Sequence, residues 1–97
     1  MFIISHYITY IMDWIKYGYV IGSKYRQRII ISLQKNPKTP KQISEETKIP
    51  ITHVSFVLKS LSKRGIVMLL TTNLRKGKLF TLTKDGFEIA KKLEKIT

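Results

Sequence analysis

Isoleucine recurs along the first 22 residues at Ile4, Ile8, Ile11 and Ile15. At about 100° per residue these four side chains fall within about 60° of one another on a helix. His6, Thr9, Asp13 and Lys16 gather on the opposite side. The pattern predicts an amphipathic helix over 1–22, closed by Gly18 and Gly22, with a wide apolar face that something must cover. A second helix is expected from the cap Ser23 to about Lys35, with Tyr25, Ile29, Ile30 and Leu33 as its buried stripe. "NPKTP" then breaks the chain. Thr39 caps a short third helix, with Pro40 at its first position and Gln42 three residues after the cap, a capping-box arrangement. That helix ends near Lys48. Pro50 forces a turn, and "ITHVSFVLKSLSKRG" follows as a fourth helix ended by Gly65.

After Gly65 the period changes. "IVMLLTT" is β-prone, "NLRKGK" reads as a turn, and "LFTLT" alternates apolar and polar residues. This predicts a β-hairpin with a basic tip at Arg75, Lys76 and Lys78. Thr83 caps a last helix to about Ile96, with Phe87, Ala90 and Leu93 facing inward. Helix, helix, helix, hairpin, helix is the order of a winged helix-turn-helix. The expected class is therefore mainly α with a small β-hairpin. Residues 1–22 form an extra amphipathic helix for dimerisation or packing, and 23–97 the winged helix domain.

Charge sharpens this picture. The 97 residues carry 18 Lys+Arg against 6 Asp+Glu, a net +12. Between Thr47 and Lys84 there are eight bases and no acid. Such a stretch expects a polyanion, nucleic acid before an anionic membrane surface. On the fourth helix Val54, Val57, Leu58 and Leu61 share the inward face. Thr52, Phe56, Lys59, Ser60 and Lys63 lie on the far side, flanked by His53 and Ser55. In a recognition helix the first turns enter the major groove most deeply. Thr52, His53, Ser55 and Phe56 are thus candidates for base edges, and Lys59 and Lys63, with the wing residues Arg75, Lys76 and Lys78, for phosphates. Phe56 stands out because a phenyl ring opposite the core has no role in folding, whereas it can contact a thymine methyl.

"TPKQISEETKIPITHVSFVLKSLSKRGIV", followed by a basic wing and "LTKDG", resembles the helix-turn-helix of small prokaryotic winged-helix regulators of the MarR and ArsR kinds. The resemblance rests on Ile43, Ser44, Thr47, Ile49, Val54, Ser55, Leu58, Leu61, Gly65, Ile66, Val67, Leu82, Thr83 and Gly86, and the context "GYVIGSKYR" is similar to archaeal regulators. It implies sequence-specific binding of double-stranded DNA in transcription regulation. Two positions depart from that pattern: Phe56 stands where an Arg or another polar residue is common, and Lys48 replaces the usual Gly of the turn.

Other classes fit less well. Cys is absent, the two His lie far apart, and no metal spacing or glycine-rich phosphate loop occurs, so neither catalysis nor a metal or other cofactor is expected. Placing Asp13 and Lys16 inside a bilayer would cost about 5–7 kcal/mol against about 2–5 returned by the eight Phe, Ile and Val residues, so no membrane insertion is expected. No signal-peptide pattern is present, which fits a cytoplasmic protein. The expected partners are double-stranded DNA and a second copy of the chain, meeting through Ile4, Ile8, Ile11 and Ile15 with help from Leu93 and Ile96. The alternatives are a winged helix that binds DNA or RNA without sequence preference, and a protein-interaction or membrane-surface module that uses the first helix. Which effector, if any, the protein takes is not readable.

Overall fold

In the computed structural model the chain forms α1 (Phe2–Ile21), α2 (Lys24–Lys35), α3 (Pro40–Thr47), α4 (Ile51–Lys63), β1 (Val67–Asn73), β2 (Gly77–Leu82) and α5 (Lys84–Ile96). The structure describes the backbone of residues 2–73 and 77–96, and the side chains of residues 11, 13–71 and 77–96.

The local stops and starts follow side-chain chemistry. Ser23 caps α2 by accepting from the Arg26 N–H at 3.4 Å. Thr39 accepts from Gln42 N–H at 3.2 Å while the Gln42 side chain accepts from Thr39 N–H at 2.9 Å, which closes the capping box. α1 runs through Gly18 and stops at Ile21, so only Gly22 acts as its end. Its last carbonyls are satisfied by α2: Arg26 donates to Tyr19 O at 2.7 Å and Gln27 to Ile21 O at 2.9 Å.

The turn between α3 and α4 is built without glycine. Lys48 adopts φ 64°, ψ 22°, the left-handed conformation that glycine would take there at lower cost. Its N–H donates to Ser44 O at 2.9 Å, and the Ser44 hydroxyl donates to Ile49 O at 2.6 Å. Ile49 is buried as the chain turns toward Pro50 and α4.

β1 and β2 pair antiparallel, Val67 opposite Leu82 and Leu69 opposite Phe80, with a bulge between Leu69 and Thr71. The segment read as a plain break also joins this sheet. Lys38 N–H donates to Phe80 O at 3.0 Å and Phe80 N–H to Lys38 O at 2.9 Å, so Lys38 forms an isolated bridge on β2. The Lys38 ammonium then reaches Glu46 at 2.5 Å and Ser32 Oγ at 3.2 Å, and Ser32 donates to Glu46 at 2.7 Å. One knot of side chains thereby ties α2, α3 and the hairpin together.

Among the described residues the core draws on every element: Val20 of α1, Ile29, Ile30 and Leu33 of α2, Ile43 of α3, Val54, Leu58 and Leu61 of α4, Val67 and Leu82 of the hairpin, and Ile89, Ala90 and Leu93 of α5. Three expectations are corrected. Tyr25 is 38% exposed and Phe87 40% exposed, because the inward stripes are Ile29–Ile30–Leu33 on α2 and Gly86–Ile89–Ala90–Leu93 on α5. Leu93 is wholly buried within its own chain, which removes it from a surface between copies. Among the described residues no helix is long and apolar enough to cross a membrane.

Candidate nucleic-acid interface

α4 presents its inward side to the core through Val54, Leu58 and Leu61, and this fixes what faces out. Thr52, His53, Ser55, Phe56, Lys59 and Lys63 are all exposed. Phe56 is the extreme case at 75%. No side chain caps the start of α4, where Pro50 supplies only a carbonyl, so its first N–H groups face outward unpaired by side chains.

The two flanks of α4 differ. On one flank an open cleft of about 470 Å³ separates α4 from the hairpin. Ser55, Lys59 and Ser62 line it from α4, Lys78, Phe80 and Leu69 from the hairpin, with Pro40 and Leu58 completing the wall. Lys59 and Lys78 therefore face one space from two elements. Among the described residues, Lys59, Lys63 and Lys78 make no ion pair. Arg75 and Lys76, the other wing candidates, lie outside the described residues.

The opposite flank is occupied by the chain itself. The Ser60 hydroxyl is hydrogen-bonded to the Tyr19 hydroxyl of α1. This is a correction: Ser60 lies about 240° round the helix from Val54 and turns toward α1, away from the free face. His53 is exposed yet meets Tyr25 edge-on, ring centroids 5.7 Å apart. Arg64, at the end of α4, places its guanidinium 3.6 Å from the Tyr19 ring centroid, and Arg26 places its own at 3.7 Å. The Tyr19 hydroxyl is held below its ordinary range, first by the Ser60 hydrogen bond and then by the two arginine charges, against an opposing effect of burial.

Sequence reasoning missed Ser62, Leu69 and Phe80 of the cleft, and Arg64 on the other flank. The strand alternation held a signal for part of this, since Lys78, Phe80 and Leu82 share one face of β2.

Of the apolar ridge on α1, Ile11 is 52% and Ile15 54% exposed, with Trp14 between them at 48%. Ile4 and Ile8 have side chains outside the described residues. The polar side of α1 is the one turned to the body: Lys16 pairs with Asp85 of α5 at 2.6 Å. Ile96 is 61% exposed at the end of α5.

The family model of the sugar-specific transcriptional regulator TrmB matches residues 30–83, more than half of the chain. The chain belongs to the TrmB family. The matched stretch runs from within α2 to the end of β2, so the likeness covers the helix-turn-helix and the hairpin. Solved structures agree on the fold. A MarR-family regulator from Neisseria meningitidis is 24% identical with a TM-score of 0.70, over 96% of this chain and 66% of that one. The zinc-responsive MarR-family member ZitR of Lactococcus lactis is 26% identical with a TM-score of 0.65, over 71% and 49%. The adhesin competence repressor AdcR of Streptococcus pyogenes is 20% identical with a TM-score of 0.70, over 76% and 56%. This TrmB-family chain thus spans roughly half to two-thirds of the length of these neighbours. No curated protein matches its sequence. The resemblance to winged-helix regulators of the MarR kind is thereby established as a likeness of fold.

Proposed function

We propose that this TrmB-family chain is a cytoplasmic transcription regulator that binds double-stranded DNA sequence-specifically as a homodimer. It acts by binding and not by catalysis. The carrying observation is the outward face of α4, a Phe ring 75% exposed among Thr52, Ser55, Lys59 and Lys63, with an open cleft to the hairpin beside it. α4 lies in the major groove, where Thr52, Ser55 and Phe56 meet base edges and His53 stands at the margin. Lys59, Lys63 and Lys78, joined by Arg75 and Lys76 at the wing tip, meet phosphates. Phe56 reads a thymine methyl.

The dimer reading rests on the orientation of α1. Its polar side is consumed by its own chain through Lys16 and Asp85, and Trp14 lies under the Lys92 ammonium of α5, while Ile11 and Ile15 are left exposed. A second copy covers that ridge, with Ile4 and Ile8 extending it and Ile96 adding to its margin. Two recognition helices then meet half-sites about 34 Å apart or a multiple of that.

Selection of binding sites from random double-stranded DNA tests the whole reading. Wild-type protein should enrich a two-fold-related motif. Phe56→Ala should then lose about 1–3 kcal/mol on that site and its preference at one thymine, with little change in melting temperature. Enrichment of no motif, or unchanged discrimination between thymine and cytosine at every position, would remove sequence readout by this helix. Light scattering that gives a monomer at tens of micromolar would remove the dimer.

A further inference from the structure

Ile11, Ile15 and Tyr19 are spaced four apart and share one ridge of α1. The ridge is exposed at Ile11 and Ile15, but at Tyr19 it enters the body of the protein. The Tyr19 ring has the Arg26 guanidinium 3.7 Å and the Arg64 guanidinium 3.6 Å from its centroid. Two guanidinium groups that close to one centroid must stand on opposite faces of the ring. Arg26 is fixed further by its bond to Tyr19 O at 2.7 Å. The Tyr19 hydroxyl meets Ser60, on the third turn of α4, and Arg64 follows α4's last residue. One side chain of α1 is therefore held by α2 and by two positions of α4.

We propose that Tyr19 is a positioning residue for DNA recognition: it sets the bearing of α4 on the α1 ridge and thereby the half-site separation the dimer accepts. The inference rests on the proposal that α1 forms the dimer. A base pair added between half-sites both moves and rotates one of them, so a dimer with fixed α4 bearings tolerates few separations. If the link from Tyr19 to Ser60 is cut, α1 can still pair and α4 can still enter its groove, but one of the two contacts that set the angle between them is lost and only the Arg64 stack remains. The Tyr19–Ser60 bond joins residues 41 apart in sequence, so it is not an incidental contact within one helix.

The test uses the full chain with Tyr19→Phe, which keeps the ring between the arginines and removes only the hydroxyl. Ser60→Ala cuts the same bond from the other side, at a position that does not face DNA. Each protein is assayed by light scattering, by thermal melting, on a single half-site, and on selected operators lengthened or shortened by one or two base pairs. Wild type should lose about tenfold or more on the shifted operators, the scale of one lost base-pair contact. Both variants should remain dimers, melt close to wild type and hold the single half-site as wild type does. Their loss on shifted operators should fall below about threefold. A pure stability role would move the melting temperature and leave spacing preference unchanged, and that result overturns the proposal. Wild-type protein that is monomeric, or indifferent to spacing, overturns the proposal together with the dimer reading beneath it. A dimeric, spacing-sensitive wild type whose variants keep full sensitivity overturns the role of Tyr19 alone.

Discussion

Gly86 offers a sharp test of how the last helix is attached. It lies in the first turn of α5 and packs onto the start of β1. A Cβ placed on it would stand 2.2 Å from Ile66 O, 3.1 Å from Leu82 Cβ and 3.2 Å from Leu82 Cδ2. Separations under 3.0 Å are essentially never adopted, so the Ile66 carbonyl and α5 must part by roughly 0.8 Å in Gly86→Ala. The carbonyl cannot swing aside freely. It accepts from Thr83 N–H at 3.0 Å, and the Thr83 hydroxyl lies 2.7 Å from Gly65 O and accepts from Gly86 N–H at 3.2 Å. Ile66 and Leu82 are buried at 0% and 3%, so no solvent space absorbs the shift.

Overpacking of this kind costs about 1–3 kcal/mol, and one weakened hydrogen bond adds about 1. Alanine returns about 1 kcal/mol through its better helix propensity. The net loss is about 1–3 kcal/mol, a fall of about 4–24 °C in Tm for a domain of this size. Thermal melting at one fixed protein concentration measures it, since a dimer's Tm depends on concentration. Gly18→Ala is the paired control. Gly18 is also helical, yet nothing lies within 4 Å of its added Cβ, so the same substitution should stabilise by about 0.5–1 kcal/mol. A Gly86→Ala protein that melts within about 2 °C of wild type would refute the packing argument.

Lys48→Gly should raise stability by a few tenths to about 1 kcal/mol in urea denaturation, because Lys48 holds φ 64° without the freedom of glycine. Glu46 is held below its usual 4.5, first by the Lys38 ammonium and then by the Ser32 hydroxyl, against burial. A depressed folded pKa stabilises above the unfolded value and loses that contribution as pH falls through the folded one. The Tm advantage of wild type over Glu46→Gln should therefore be full above about pH 5 and close on acidification. A gap that widened with acid would contradict the Lys38–Glu46 assignment. Lys59→Ala, Lys63→Ala and Lys78→Ala should each reduce the log–log salt slope of DNA binding by about 0.9 and weaken all sequences alike. A wing variant with altered sequence preference and an unchanged slope would reassign Lys78.

The parts legible in the sequence were those decided within a few residues. Thr39, Pro40 and Gln42 announce a helix start because the capping box closes over three positions, and the structure contains both of its bonds. Phe56 was legible as an outward ring because the angle from Val54 and Leu58 depends only on helix geometry. Errors arose where the answer depends on a neighbour distant in sequence. Tyr25 and Phe87 were expected inside, but α2 buries Ile29, Ile30 and Leu33 and α5 buries Gly86, Ile89, Ala90 and Leu93, which leaves both rings at the exposed margin of their stripes. Ser60 sits on the polar side of α4 as the period requires. Only the approach of Tyr19, 41 residues earlier, turns that side into an internal contact. Lys38 looked like part of a loop, since a one-residue bridge to Phe80 leaves no period to detect.

The charge pattern gains its meaning from where the acids are bound. Asp85 holds Lys16 and so joins α5 to α1. Glu46 holds Lys38, with Lys35 at 4.0 Å, and so joins α3 to α2 and the sheet. Both carboxylates act between elements other than α4. Lys59, Lys63 and Lys78 are left with no acid against them among the described residues. A carboxylate beside any of them would cancel part of the attraction to a polyanion and lower the salt dependence of binding. The fold thus separates two uses of lysine. Lys16 and Lys38, with side chains 21% and 13% exposed, bind helices to one another. The exposed lysines of α4 and β2 make no ion pair among the described residues, which suits the proposed contact with phosphates. An excess of twelve positive charges repels itself in the folded state. That cost is consistent with a surface selected for an anion and is hard to explain by solubility, which a balanced mixture of both signs would supply.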